Sequence, residues 1–265
     1  MPLVFAAVMP HSPLLVPNIG KEHTPHFKAT LDASAALAER FAAARPDAVV
    51  ILTAHGPQRP AGFTFNICDR YTSNFELFGD LVTRWEFIGN VGLPARWREQ
   101  LELKVPLSLV SEPGLDYGSS IPLNLLGVSP TGPAVIPLSA SGLGVAEHLT
   151  CGRLLQNCML DETSRIAIIA SADFSHKLNK KSPAGYSAKA KKLDQKIIDA
   201  LITLDGKALL SISESLLEEA AVEDSRPLAL LLGLLEGMNC EPKVLSYEGP
   251  FGVGHGVIDF NLESA

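Results

Sequence analysis

The sequence predicts an α/β protein: one domain over residues 1–265, with a mixed, largely parallel central sheet flanked by helices. Three observations predict this. Apolar runs near residues 4–9, 48–54 and 166–170 are bounded by turn residues, and such runs read as strands buried on both faces. Stretches with helical periodicity lie between them, the alternation that builds a parallel sheet. No linker divides the chain, whose 265 residues are 46% hydrophobic and sufficient for one sizeable core.

Taken in order, the first strand leads to His11, and Ser12-Pro13 turns the chain into an irregular connection marked by Pro17 and Gly20. A helix is predicted over residues 24–44, with Pro25 in its first turn, where the missing N–H does no harm, and Leu31, Ala35, Leu37 and Phe41 on one face. Pro46 closes it and the next strand runs to His55, making a βαβ unit with a right-handed crossover. Residues 62–68 alternate and read as a strand. Helices are predicted over 76–88, 94–103, 119–126 and 145–160, with a short strand over 134–138. The strand over 165–170 precedes a long amphipathic helix over 184–204. Helices over 206–221 and 227–237 and two strands, 243–248 and 257–262, complete the chain, the last pair adding antiparallel character at one edge. There is no internal repeat and no low-complexity tract.

The net charge of −7, from 29 acidic and 22 basic residues, gives no electrostatic reason to expect nucleic acid. The lysines between 177 and 192 read as a solvated helix face. Cys68, Cys151, Cys158 and Cys240 show no C-x-x-C spacing, so neither a thiolate zinc site nor a redox dithiol is signalled, and a reducing cytoplasm fits. The N-terminus carries no signal-peptide pattern and no stretch reaches the roughly 20 apolar residues of a membrane span. A G-x-S-x-G elbow and a P-loop are both absent, arguing against the common serine hydrolases and P-loop nucleotidases.

Ligand chemistry in open α/β sheets gathers beyond the carboxyl ends of the strands. His11, His55 and, after Ser171-Ala172-Asp173-Phe174-Ser175, His176 all follow strand-like runs, and Glu248 follows another. Two histidines and a carboxylate form the ligand set of a non-haem iron(II) oxygenase. Each residue also has an ordinary reading: a strand-end histidine plugs a polar gap, and a terminal glutamate faces solvent. His23, His26 and His148 read as helix residues with no special role, and His255, in the glycine-rich C-terminal turn, as a marginal candidate.

The motifs Pro10-His11-Ser12-Pro13, Ala54-His55-Gly56-Pro57, the 170–176 segment and Ser246-Tyr247-Glu248-Gly249-Pro250-Phe251-Gly252-Val253-Gly254 together resemble the class III extradiol ring-cleavage dioxygenases, with LigB-like catalytic subunits. The likeness is greatest to the bacterial branch found beside AMMECR-type domains and related to the Memo proteins, and it covers nearly the whole chain. It implies iron(II) held by His11, His55 and Glu248, His176 as an acid–base residue, Asp173 as a polar group of the same pocket, a small aromatic diol and O2 as substrates, and a homo-oligomer, a dimer. The family often has L-D-H-G where this chain reads Leu115-Asp116-Tyr117-Gly118. Tyrosine, with an ordinary pKa of about 10, is a poorer proton shuttle near neutrality than histidine, so Tyr117 is expected to hydrogen-bond substrate or oxygen. Two other readings stand beside ring cleavage: zinc in the same cage serving a hydrolase, and a Memo-like metal-binding protein without ring-cleavage activity.

Overall fold

The computed structural model describes residues 2–262. Its elements are β1 (Leu3–Met9), α1 (Pro17–Gly20), α2 (Lys28–Ala44), β2 (Ala48–Thr53), β3 (Phe63–Asn66), β4 (Arg70–Phe75), β5 (Asp80–Ile88), α3 (Gly92–Leu101), β6 (Leu107–Val110), α4 (Tyr117–Leu125), β7 (Ala134–Ser139), α5 (Val145–Leu160), β8 (Ile166–Ser171), α6 (Ala190–Ile202), α7 (Gly206–Leu210), α8 (Glu214–Glu219), α9 (Ser225–Leu235), β9 (Cys240–Glu248) and β10 (His255–Leu262).

Eight strands form one sheet in the order β6-β3-β7-β2-β8-β1-β10-β9, and β4 and β5 form a separate hairpin. The middle of the sheet is parallel: β7 with β2, β2 with β8, and β8 with β1. Antiparallel pairing enters at β3–β7 and at β1–β10–β9. The chain is therefore a single α/β domain with a mostly parallel sheet.

The apolar runs form strands because both of their faces are covered. Val50, Leu52, Ile166 and Ile168 join one core cluster with α5, α6 and α9, while Val49, Ile51, Ala167 and Ile169 join the other with α2 and the hairpin. Period-2 alternation thus sorts side chains between two buried layers, as a doubly covered sheet requires. No helix among the described residues is long and apolar enough to cross a membrane.

Three predicted elements differ. Residues 76–88 form a 3-10 turn followed by strand β5, because Trp85 and Phe87 alternate inward while Gly79, at φ +81°, turns the chain. Phe75 and Trp85 pack edge to face with centroids 4.7 Å apart, a cross-strand pairing that outweighs helical propensity. Residues 206–221 split into α7 and α8, and the long helix predicted over 184–204 begins only at Ala190.

Candidate metal centre

Three parallel strands end side by side, and each continues into a residue of the centre. β1 leads to His11, β2 to His55 and β8 to Asp173 and His176. A fourth contribution comes from Asp224, immediately before α9. One nitrogen each from His11 and His55 and one oxygen from Asp224 lie within 4.8 Å of one another. The two Nε2 atoms are 2.9 Å apart. An Asp224 oxygen stands 3.6 Å from His11 Nε2 and the other 3.9 Å from His55 Nε2.

Hydrogen bonds fix the His11 tautomer. The Ser171 hydroxyl donates its one proton to the Gly118 carbonyl. Its contact with His11 Nδ1 at 2.9 Å must then be one in which the ring N–H donates. His11 Nε2 is left with a lone pair directed at His55 and Asp224. Burial pushes His11 down to about 4, partly offset by Asp173, so the ring is neutral at neutral pH. Burial lowers His55 as well, against Asp116 and Asp173.

His55 is held from α4. The Asp116 carboxylate caps that helix through Ser119 N–H at 2.8 Å and accepts from the Thr53 hydroxyl at 3.0 Å. Thr53 in turn accepts the His55 backbone N–H at 3.0 Å. Gly118 permits the approach: a Cβ there would lie 2.6 Å from the His55 ring. The Tyr117 hydroxyl lies 3.1 Å from His55 Nδ1, and burial, with Asp224 and Asp173 nearby, pushes it up to about 12.

The two aspartates are in opposite electrostatic situations. Burial opposes charge on Asp173, but the His11 and His255 imidazoles facing it hold its carboxyl well below the usual range. Asp224 is raised well above that range by burial and then by the charge of Asp173. Its Oδ2 accepts the Asp173 backbone N–H at 2.9 Å, while its Oδ1 is buried with no hydrogen-bond partner among the described residues. An orphaned carboxylate oxygen beside two imidazole nitrogens fits a divalent cation. Ligands about 2.1 Å from a metal at right angles lie roughly 3.0 Å apart, close to the nitrogen separation observed. For both Nε2 atoms to face one cation, the His55 proton must sit on Nδ1, where the Tyr117 oxygen accepts it.

Residues 5–258 match the family described as the catalytic LigB subunit of aromatic ring-opening dioxygenase. The chain belongs to the LigB family. It is similar to "Protein CA_C1420" of Clostridium acetobutylicum, with 25% identity over 95% of this chain, and spans 56% of that relative's length. Its fold is similar to the crystal structure of "uncharacterized protein JW3007" from Escherichia coli, with 19% identity, a TM-score of 0.70 and coverage of 97% of this chain and 99% of that one.

Within this LigB-family chain, the sequence expectations meet the structure unevenly. His11, His55, Asp173 and Tyr117 come together. His176 lies near His11, His55 and Asp173, and its Nε2 is buried without a hydrogen-bond partner among the described residues. Glu248 does not join them, which corrects the expected ligand set. Its Oε1 accepts Thr30 N–H at 2.7 Å and the Thr30 hydroxyl at 2.6 Å, satisfying a first-turn amide of α2. Asp224 escaped the sequence reading because an aspartate before Ser-Arg-Pro looks like an ordinary helix cap. Its side chain makes no cap hydrogen bond. Tyr117 reaches the His55 ring, where the sequence reading had expected it to meet substrate or oxygen.

Proposed function

We propose that this LigB-family protein is a non-haem iron(II) extradiol dioxygenase that cleaves a catechol-like aromatic diol with O2, its metal held by His11, His55 and Asp224. The observation that carries the reading is the convergence of those three donors at the carboxyl edge of the sheet. Two imidazoles and one carboxylate leave positions open for substrate. Bound iron would supply a redox centre at which diol and oxygen meet.

The chain's own residues supply the rest. Ser171 and Gly118 keep the His11 lone pair aimed at the ion, and Tyr117 orients His55. Asp173, whose carboxyl the facing imidazoles hold well below the usual range, stays charged and accepts a hydrogen bond from a substrate hydroxyl. His176, whose buried Nε2 has no hydrogen-bond partner among the described residues, takes the substrate hydroxyl proton and returns it to the product. A cleft of about 590 Å³ opens beside His55 between Val145, Leu217 and Val222, a volume suited to a one-ring substrate.

Anaerobic loading with iron(II), followed by oxygen uptake on a panel of catechols, tests the proposal. Uptake with formation of a yellow ring-opened product is expected for at least one diol. Iron binding with no uptake on any diol contradicts it and favours a Memo-like role without ring cleavage. Metal analysis after purification without added metal separates iron from the zinc reading.

A further inference from the structure

β10 brings to the metal centre a histidine that neither the ligand set nor the proton transfers use. His255 is 1% exposed, and its Nδ1 lies 3.0 Å from Asp173 Oδ1. A carboxylate only accepts, so Nδ1 carries the proton. The same oxygen takes the His11 backbone N–H at 3.2 Å, and the Asp173 backbone N–H is anchored on Asp224 at 2.9 Å. With Oδ1 doubly held, Asp173 Oδ2 remains, 3.8 Å from the His11 nitrogen that faces the ion.

The imidazole is itself well fixed. Phe174 N–H donates to Gly254 O at 2.8 Å and Gly254 N–H to Ser175 O at 2.9 Å, joining the start of β10 to the loop that carries Asp173. Glycine at 256 allows this contact, since a Cβ there would lie 2.5 Å from the Phe174 ring. The Phe27 ring packs on His255 with centroids 5.2 Å apart.

We propose that His255 is a positioning residue: its Nδ1–H locks Asp173 Oδ1, so that Oδ2 is presented beside His11 Nε2 as the hydrogen-bond acceptor for an O–H group of a water or diol bound in the site. The inference rests on the assignment of His11, His55 and Asp224 as a cation site, and not on ring cleavage. Without the lock the carboxylate is free to rotate and enter the metal's own ligand shell, which changes the ion's coordination.

Cobalt(II) titration followed by visible absorption reads that coordination without any turnover. His255→Phe removes the donor, and His255→Asn keeps an N–H near the Nδ1 position. The expected result is a wild-type cobalt spectrum in His255→Asn and an altered spectrum in His255→Phe, with cobalt affinity changed about tenfold. In the double variant with Asp173→Asn the spectrum matches that of Asp173→Asn alone. An unaltered spectrum in His255→Phe overturns the inference, as do separate, additive effects of the two substitutions. Should His255→Phe fail to fold, long-range proton–nitrogen NMR of the zinc-loaded wild-type protein decides: a proton on His255 Nδ1 is expected, and a bare Nδ1 overturns the proposal. Wild-type protein that takes up no cobalt removes the metal centre and this inference together, whereas cobalt uptake without diol cleavage overturns only the dioxygenase reading.

Discussion

At the scale of residues, two carboxylates exchange the roles that their places in the sequence suggest: Asp224 faces the two imidazoles and Glu248 holds a helix amide. Asp224→Ala should abolish stoichiometric metal binding, measured by metal analysis after dialysis, while Glu248→Gln should bind metal like the wild type. Loss of metal in both variants would contradict the assignment. Tyr117→Phe removes the acceptor for the His55 Nδ1 proton and should weaken metal binding by about tenfold, the usual effect of losing such a partner. Unchanged affinity would show that the Tyr117 contact does not orient the ring. The convergence of His11 and His55 was legible because a polar residue directly after an apolar run marks a strand's carboxyl end. Asp224 was not, because no apolar run precedes it and its partners lie at positions 11 and 55, just beyond β1 and β2, which the fold sets on either side of β8.

Among the elements, Glu248 acts as a helix cap supplied from a strand 218 positions away. Glu248→Ala should cost about 1 kcal/mol, a drop of roughly 2–4 °C in melting temperature, by removing a charged acceptor from the first turn of α2. A melting temperature equal to that of the wild type would contradict this role. The parallel strands and α5 were readable from composition and periodicity, and the predicted helix over 145–160 coincides with α5. The hairpin strand β5 was misread because Leu81, Val82, Trp85 and Ile88 fit a helical stripe in isolation. The alternation of Trp85 and Phe87 became decisive only once Tyr71 and Phe75 of β4 lay opposite. The division between α7 and α8 follows Ser211 and Ser213, small polar residues that end one helix and open the next.

For the whole molecule, pH links the folded state to buried histidines on both sides of the sheet. His148 accepts Ser141 N–H at 3.1 Å through Nε2 and lies 2.7 Å from Gly144 O through Nδ1, and burial pushes it down to about 4. The unfolded chain, with an ordinary histidine pKa near 6.5, binds this proton first as pH falls. Stability from His148 is therefore complete above about pH 6.5 and is lost as pH falls from there to 4. Relative to His148→Gln, the wild type should lose up to ~3 kcal/mol over that window in denaturant titrations. A constant difference would show that the ring is not held neutral. His11 is held neutral in the same way beside the metal centre, and the centre itself is the claim on which the functional account depends. The most direct test is anomalous X-ray scattering at the iron edge from crystals loaded with iron(II) under anaerobic conditions. One peak is expected within bonding distance of His11 Nε2, His55 Nε2 and an Asp224 oxygen. A peak at Glu248, or iron bound away from the two imidazoles, would contradict it.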